Sequence, residues 1–292
     1  MKIVSTEVLD IAYLETGSPD GAPVVLLHGF PYDVRGYAGV APPGARVIVP
    51  FLRGFGPTRF RSPDTMRSGQ QAALGHDLLQ LLDALGIARA VVGGYDWGGR
   101  AACVVAALHP ERVTGLVTVG GYNIQDIAAS AAEPESPARE KAKWYQHYFR
   151  SELGRRGLEQ HREELCRTLW RDWSPTWERV DEEFARTAPS LHNPDFVDVV
   201  VHSYRHRYGD VPGDPRYAGM EERLARRPPI TVPAVSLAPD SDGFVVNTPD
   251  DGREQFTGPF RGHVLTSVGH NPPQEQPASF EAAISSLLSG GI

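Results

Sequence analysis

The chain has only two cysteines in 292 residues, Cys103 and Cys166, both inside helical, apolar-periodic stretches and neither at metal-ligand spacing. A disulfide framework and a metal centre are therefore not what organises it; both read as inert core thiols suited to a reducing cytoplasm. Positive charge is also scarce. Lys and Arg total 29 against 36 Asp and Glu, a net charge of −7, which argues against nucleic acid or an anionic membrane as partner. No apolar run approaches the ~18 residues that span a bilayer. Met1-Lys2-Ile3-Val4-Ser5 leads straight into strand-like sequence, so no signal peptide is expected. The glycine-rich loop Arg53-Gly54-Phe55-Gly56-Pro57-Thr58 lacks the lysine of a phosphate-binding loop and reads as structural. There are no internal repeats.

What is present is apolar material, 41% of the residues, enough for one large α/β domain with an insertion. Short buried strands are expected at Val24–Leu27, Val47–Pro50, Ala88–Gly93, Gly115–Val119, Ala234–Leu237 and His263–Val268. Helices alternate with them, notably Gln71–Leu85, whose Leu74, Leu78, Leu81, Leu82 and Leu85 share a face. Such alternation predicts a mostly parallel sheet covered on both sides. The texture changes near Asp126. Ala128–Ala138 reads as a linker, and Arg139–Arg227 as a charged, all-helical stretch that carries four of the five tryptophans. Ser174-Pro175 and Asn193-Pro194 look like helix starts, and Gly154 and Gly209 like helix stops. The expected division is a core (1–125), a helical cap (126–227) and the rest of the core (228–292).

The organising stretch is Gly94-Tyr95-Asp96-Trp97-Gly98-Gly99-Arg100. It joins a buried strand to a buried helix, with glycines two residues either side of Asp96. It is similar to the nucleophile elbow of α/β-hydrolases, with aspartate in place of serine. That exchange changes the chemistry. A carboxylate is already charged at neutral pH, its natural target is an sp³ carbon with a leaving group, and the product is an ester. A histidine is then needed only to activate the water that hydrolyses the ester. His270, just after the final strand, is the candidate base. Asp242 is the candidate acid orienting it, with Asp240 as the alternative. In His28-Gly29-Phe30-Pro31 the glycine lets the chain turn, so that the Phe30 and Trp97 N–H groups are the expected oxyanion hole.

On His28-Gly29-Phe30-Pro31, Asp96-Trp97-Gly98-Gly99, Asp242 and Gly269-His270, the chain resembles the epoxide hydrolase branch of the α/β-hydrolases over essentially its whole length. The resemblance extends into the cap. Tyr145-Gln146-His147-Tyr148-Phe149 looks like the segment whose first tyrosine donates to the epoxide oxygen. His202-Ser203-Tyr204-Arg205 looks like a second such segment that keeps only its Tyr-Arg pair. The resemblance thus implies an α/β-hydrolase fold with a helical cap, conversion of an epoxide to a vicinal diol without a cofactor, and Tyr145 and Tyr204 as proton donors. The implied partner is a small-molecule epoxide; a homodimer is compatible with the sequence. Haloalkane or haloacid dehalogenases share the aspartate and Trp97, but often carry asparagine where Phe30 stands. Arg100 is similar to a carboxylate-binding arginine of fluoroacetate dehalogenases; with Trp97 in place of their second arginine, a structural ion pair is expected for it. A hydrolase-fold binding protein without turnover is the reading from another class, and the complete set of nucleophile, base and acid weighs against it.

Overall fold

The computed structural model describes residues 1–292. Nine strands form one sheet: β1 (Lys2–Ser5), β2 (Leu9–Gly17), β3 (Ala22–Leu27), β4 (Ala45–Pro50), β5 (Arg59–Phe60), β6 (Ala90–Gly94), β7 (Val113–Val119), β8 (Ala234–Pro239) and β9 (Phe260–Leu265). Their order is β1-β2-β4-β3-β6-β7-β8-β9, with the two-residue β5 beside β2. β1, β2 and β5 pair antiparallel; from β4 to β9 every pairing is parallel. All five residues of β6 are buried, as a strand covered on both faces requires.

Helices α1 (Gln71–Ala84) and α2 (Asp96–Leu108) pack together on the sheet. Between β7 and β8 there are only helices: α3 (Ile127–Ala132), α4 (Pro137–Ala142), α5 (Trp144–Arg150), α6 (Glu152–Gln160), α7 (Arg162–Trp173), α8 (Val180–Thr187), α9 (Phe196–Arg207) and α10 (Ala218–Leu224), with short 3₁₀ turns. We call this stretch the cap. The chain closes with α11 (Pro272–Glu275) and α12 (Pro277–Leu288). The fold is the expected one, a mostly parallel sheet with flanking helices.

Local expectations within the cap fare less well. The supposed linker contains α3 and α4, whose starts are capped by the side chains of Asp126 and Ser136. Ser174-Pro175 ends α7 rather than starting α8; a proline two residues past a helix is as good a stop as a start. Asn193, three residues before α9 begins, accepts from the Asp195 amide at 2.8 Å. Gly154 lies in the first turn of α6, not at a helix end, and its amide is capped by Ser151. Gly209 does follow the end of α9, with φ +74.

The glycine-rich loop after β4 is structural, as expected. Fully buried Arg53 forks onto both Asp77 oxygens at 2.6 Å and donates to the Ser68 carbonyl at 2.8 Å. This ties the loop to α1. Burial disfavours the guanidinium charge, but Asp77 overrides it and holds the pKa above the ordinary value.

Candidate active site

Asp96 stands where β6 turns into α2, and the turn is tight enough to force its backbone to φ 49. A non-glycine residue there carries strain of about 1–3 kcal/mol, which the surrounding packing must hold. The glycines explain how. A Cβ on Gly98 would lie 1.9 Å from the Leu27 carbonyl oxygen, and one on Gly94 2.4 Å from the Gly98 carbonyl carbon. Strand and helix therefore approach closely only because neither position has a side chain.

The loop after β3 meets this turn. A Cβ on Gly29 would strike the Asp96 side chain at 2.7 Å, so the glycine lets the backbone reach the carboxylate. The Phe30 amide donates to Asp96 Oδ1 at 2.7 Å. The second expected donor is not engaged. The Trp97 amide, in the unsatisfied first turn of α2, makes no bond to this carboxylate. An oxyanion hole is shaped for the tetrahedral intermediate rather than the resting carboxylate, so the ground state does not test its part. His28 locks the loop: its Nε2 accepts from the Leu52 amide at 3.1 Å, and Nδ1 therefore donates to the Gly29 carbonyl at 2.9 Å. Burial pushes its pKa down to about 4, so it stays neutral with its tautomer set.

His270 Nδ1 donates to Asp242 Oδ2 at 2.7 Å. A carboxylate can only accept, so the proton sits on Nδ1 and Nε2 is the reactive nitrogen; Nε2 is buried and free of partners. The other Asp242 oxygen accepts from the Phe244 amide at 2.8 Å and the Val245 amide at 3.3 Å. Asp240 is exposed and accepts instead from the Ser267 amide at 2.7 Å and the Ser241 hydroxyl at 2.8 Å. Burial lowers His270, but Asp242, with further help from Asp96 and Glu275, more than offsets it, and the net pKa lies above the ordinary value.

Two anchors here were not visible in the sequence. Glu275 accepts from the Gly269 and Asn271 amides at 2.7 and 3.0 Å and from the Ser174 hydroxyl at 2.7 Å. The carbonyl of Trp173, the last residue of α7, accepts from the Gly243 amide at 3.1 Å and the His270 amide at 3.2 Å. One cap residue thus pins both the acid loop and the base loop, and its ring lies 4.8 Å from the His270 ring.

Above the sheet edge, α5 and α9 bring Tyr145 and Tyr204 together, with ring centroids 5.5 Å apart and near perpendicular. Both are 1% exposed. Tyr204 lies 5.6 Å from the Phe30 ring and 6.0 Å from the Trp97 ring. Gln146 Nε2 donates to the Tyr145 oxygen at 2.8 Å, while its Oε1 accepts from Tyr208 at 3.0 Å and Arg207 Nη1 at 3.2 Å. That network leaves the Tyr145 proton free to be donated elsewhere. Burial, then the Asp96 charge, raises the Tyr145 pKa; for Tyr204 burial and Tyr145 lead, with Asp96 adding to them. Both phenols are protonated at neutral pH. The ion pair expected for Arg100 is not formed. The helix turns Arg100 towards the cap, where the like charge of Arg207 opposes its own charge more than Asp96 supports it.

With a half-buried carboxylate on a strained turn, a base with a fixed tautomer and two protonated phenols, the site can form an ester on the carboxylate and hydrolyse it. The model of the α/β hydrolase fold family matches residues 22–201. The chain belongs to the α/β-hydrolase-fold family. It is 44% identical to a protein of Klebsiella pneumoniae of known structure, proposed to be an epoxide hydrolase; the match covers 98% of this chain and 96% of that one, with a TM-score of 0.95. Epoxide hydrolase A of Mycobacterium tuberculosis is 27% identical over 99% of this chain and 97% of its own length. Proline iminopeptidase of Neisseria meningitidis is 34% identical, but over only 39% of this chain and 37% of its own. The fold thus hosts different chemistries, and the site must decide between them.

Proposed function

We propose that this protein is an epoxide hydrolase that converts an epoxide to a vicinal diol through an ester on Asp96, without a cofactor. The observation that carries this is the pair of buried, protonated tyrosines facing an aspartate nucleophile, one of them held by Gln146 so that its proton points away from the protein network. Asp96 Oδ2, free of the Phe30 amide, attacks an epoxide carbon. The carbon–oxygen bond breaks, and the oxygen takes a proton from Tyr145 or Tyr204. His270 Nε2 then takes a proton from water, and the hydroxide adds to the ester carbonyl. The Phe30 amide, with Trp97, stabilises the oxyanion. Collapse expels the diol oxygen, which takes the proton from His270. The carboxylic acid left on Asp96 returns its proton to the phenolate, closing the cycle. Residues 126–227 act as the cap that supplies the donors, and two buried, free cysteines suit a cytoplasmic enzyme.

The buried Trp97 Nε1 has no partner, and an indole N–H is a halide donor in a dehalogenase. One experiment separates the two readings. In His270→Gln the first step survives and the second stalls, so a reactive substrate should leave an adduct on the Asp96 peptide. An epoxide adds its whole mass; a haloalkane adds its mass less hydrogen halide. Asp96→Ala should give no adduct. Absence of an adduct with a substrate that the wild type turns over would overturn the covalent route.

A further inference from the structure

Two arginines near the site, Arg207 and Arg100, form no ion pair, although the charge of Asp96 favours that of Arg100. Arg207, on α9, is 6% exposed. Its Nη1 reaches Gln146, its guanidinium lies 4.7 Å from the Tyr204 ring centroid, and its Nε and Nη2 have no partner. Arg100, one turn beyond Asp96 on α2, has no acidic partner either. Both face one cavity of ≈ 200 Å³, together with Gln146, Tyr208 and Phe244. Glu133, Glu135 and Glu140 also line that cavity, beside Arg139 and Lys143, but each is paired elsewhere or exposed. Glu135 pairs with Arg139 and Lys143, Glu140 pairs with His147, and Glu133 is exposed. Burial and the like charge of Arg207 push Arg100 down to about 10, so it remains a cation at neutral pH.

Neighbouring cations withdrawn from water without an anion are costly. The cost is recovered when the counter-charge arrives with a ligand. A guanidinium fork with two free donors matches a planar carboxylate, and the cavity is smaller than those that take drug-sized ligands. The charge of Asp96 itself adds a reason. An anionic substrate is repelled by an anionic nucleophile unless cations stand beside it. Phe244 and Gln146 link the cavity to the chemistry, since the Phe244 ring lies 6.0 Å from Tyr145 and 5.8 Å from His270.

We propose that the substrate class is a short-chain epoxide bearing a carboxylate, held by Arg207 from the cap and Arg100 from the core while Asp96 attacks the ring. This rests on the epoxide hydrolase reading for its chemistry, but not for its binding site. The test compares oxirane-2-carboxylate with oxirane-2-carboxamide, which keeps the shape and removes the charge. Wild-type kcat/KM should favour the carboxylate by about tenfold or more. Arg207→Met and Arg100→Met should bring that ratio towards one, and Arg207→Lys should retain part of it. Equal use of the two substrates, or a preference that both Met variants keep, overturns the proposal. A second measurement needs neither a variant nor turnover: calorimetry on the wild type should detect cyclopropanecarboxylate binding, weakened by salt, and none for cyclopropanecarboxamide. Binding without hydrolysis of any epoxide would sink the epoxide hydrolase reading and leave the anion site standing. Hydrolysis of neutral epoxides with no carboxylate binding would sink the anion site alone.

Discussion

The sheet edge and the cap meet over Asp96, yet they hold their polar groups in opposite ways. At the sheet edge every carboxylate of the site is matched. Asp96 accepts from Phe30, Asp242 accepts from His270 and two amides, and Glu275 accepts from two amides and a hydroxyl. In the cap the groups facing the site are protonated phenols and an arginine, Arg207, with spare donors, held by aromatic packing and by one glutamine. Fixed loops can set a nucleophile and base to within tenths of an ångström. A cap offering only donors complements whatever oxygen or anion the substrate brings. Orientation therefore belongs to the core, and recognition chiefly to the cap, with Arg100 as the core's one contribution to it.

Breaking a core pairing should give the largest effect. Asp242→Asn replaces the carboxylate that fixes the His270 tautomer, and can present a donor to Nδ1 instead. Ester hydrolysis should slow by on the order of 10²-fold or more, while formation of the Asp96 adduct continues. Asp240→Asn, on an exposed side chain that caps a turn, should stay near wild type. Rapid-mix measurement of both steps decides it, and a silent Asp242→Asn would remove this residue from the mechanism.

Cap substitutions should cost less each and act on the other step. Tyr145→Phe and Tyr204→Phe should each slow alkylation by roughly tenfold, because the remaining phenol still donates, and the double variant should lose far more than either. Ester hydrolysis, measured from preformed adduct, should barely change. If the double variant alkylates at the wild-type rate, recognition of the leaving oxygen is not a cap function and the division between the two regions fails.

The same contrast explains what was legible in the sequence. The elbow could be read because small residues flank Asp96 within a few positions, and the strand before it is an unbroken apolar run. His270 and the two candidate aspartates could be placed because each follows a strand, where a parallel sheet gathers its carboxyl ends. Choosing between Asp240 and Asp242 was harder, since both lie in one loop and only side-chain direction separates them. Arg100 could be located but not interpreted: its position one turn from Asp96 follows from helical spacing, whereas the lack of an acid opposite depends on how α9 lands. Gln146, Arg207, Trp173 and Glu275 gave no local signal. Their roles are contacts between segments far apart in the chain, as when Gln146 meets Arg207 and Tyr208, or Trp173 meets Gly243 and His270. Helix boundaries in the cap slipped for a related reason, because serine or asparagine beside proline suits either end of a helix.

The smallest effect expected is a displacement along the pH axis, and it ties the two steps together. In the free enzyme, burial works against the His270 charge, but Asp242, Asp96 and Glu275 raise its pKa above the ordinary value. Alkylation turns Asp96 into a neutral ester and removes one of those anions, while Asp242 and Glu275 remain. The His270 pKa must then fall, so the imidazole becomes neutral at the stage when it has to accept a proton from water. Hydrolysis needs the neutral base; its rate therefore rises with pH through the His270 value and is flat above it. The rise for hydrolysis of preformed adduct should lie at lower pH than the titration of His270 followed by NMR in the free protein. Asp96→Asn, which mimics the charge of the ester, should shift that NMR titration downwards in the same way. The raised value also has a stability counterpart of fixed sign. Protonated His270 stabilises the free fold at acid pH, and this contribution is lost as pH rises through the folded-state value; Asp96→Asn should diminish it. Coincidence of the NMR titration with the hydrolysis limb would mean that Asp96 does not act on His270, and that the base is set by Asp242 and Glu275 alone.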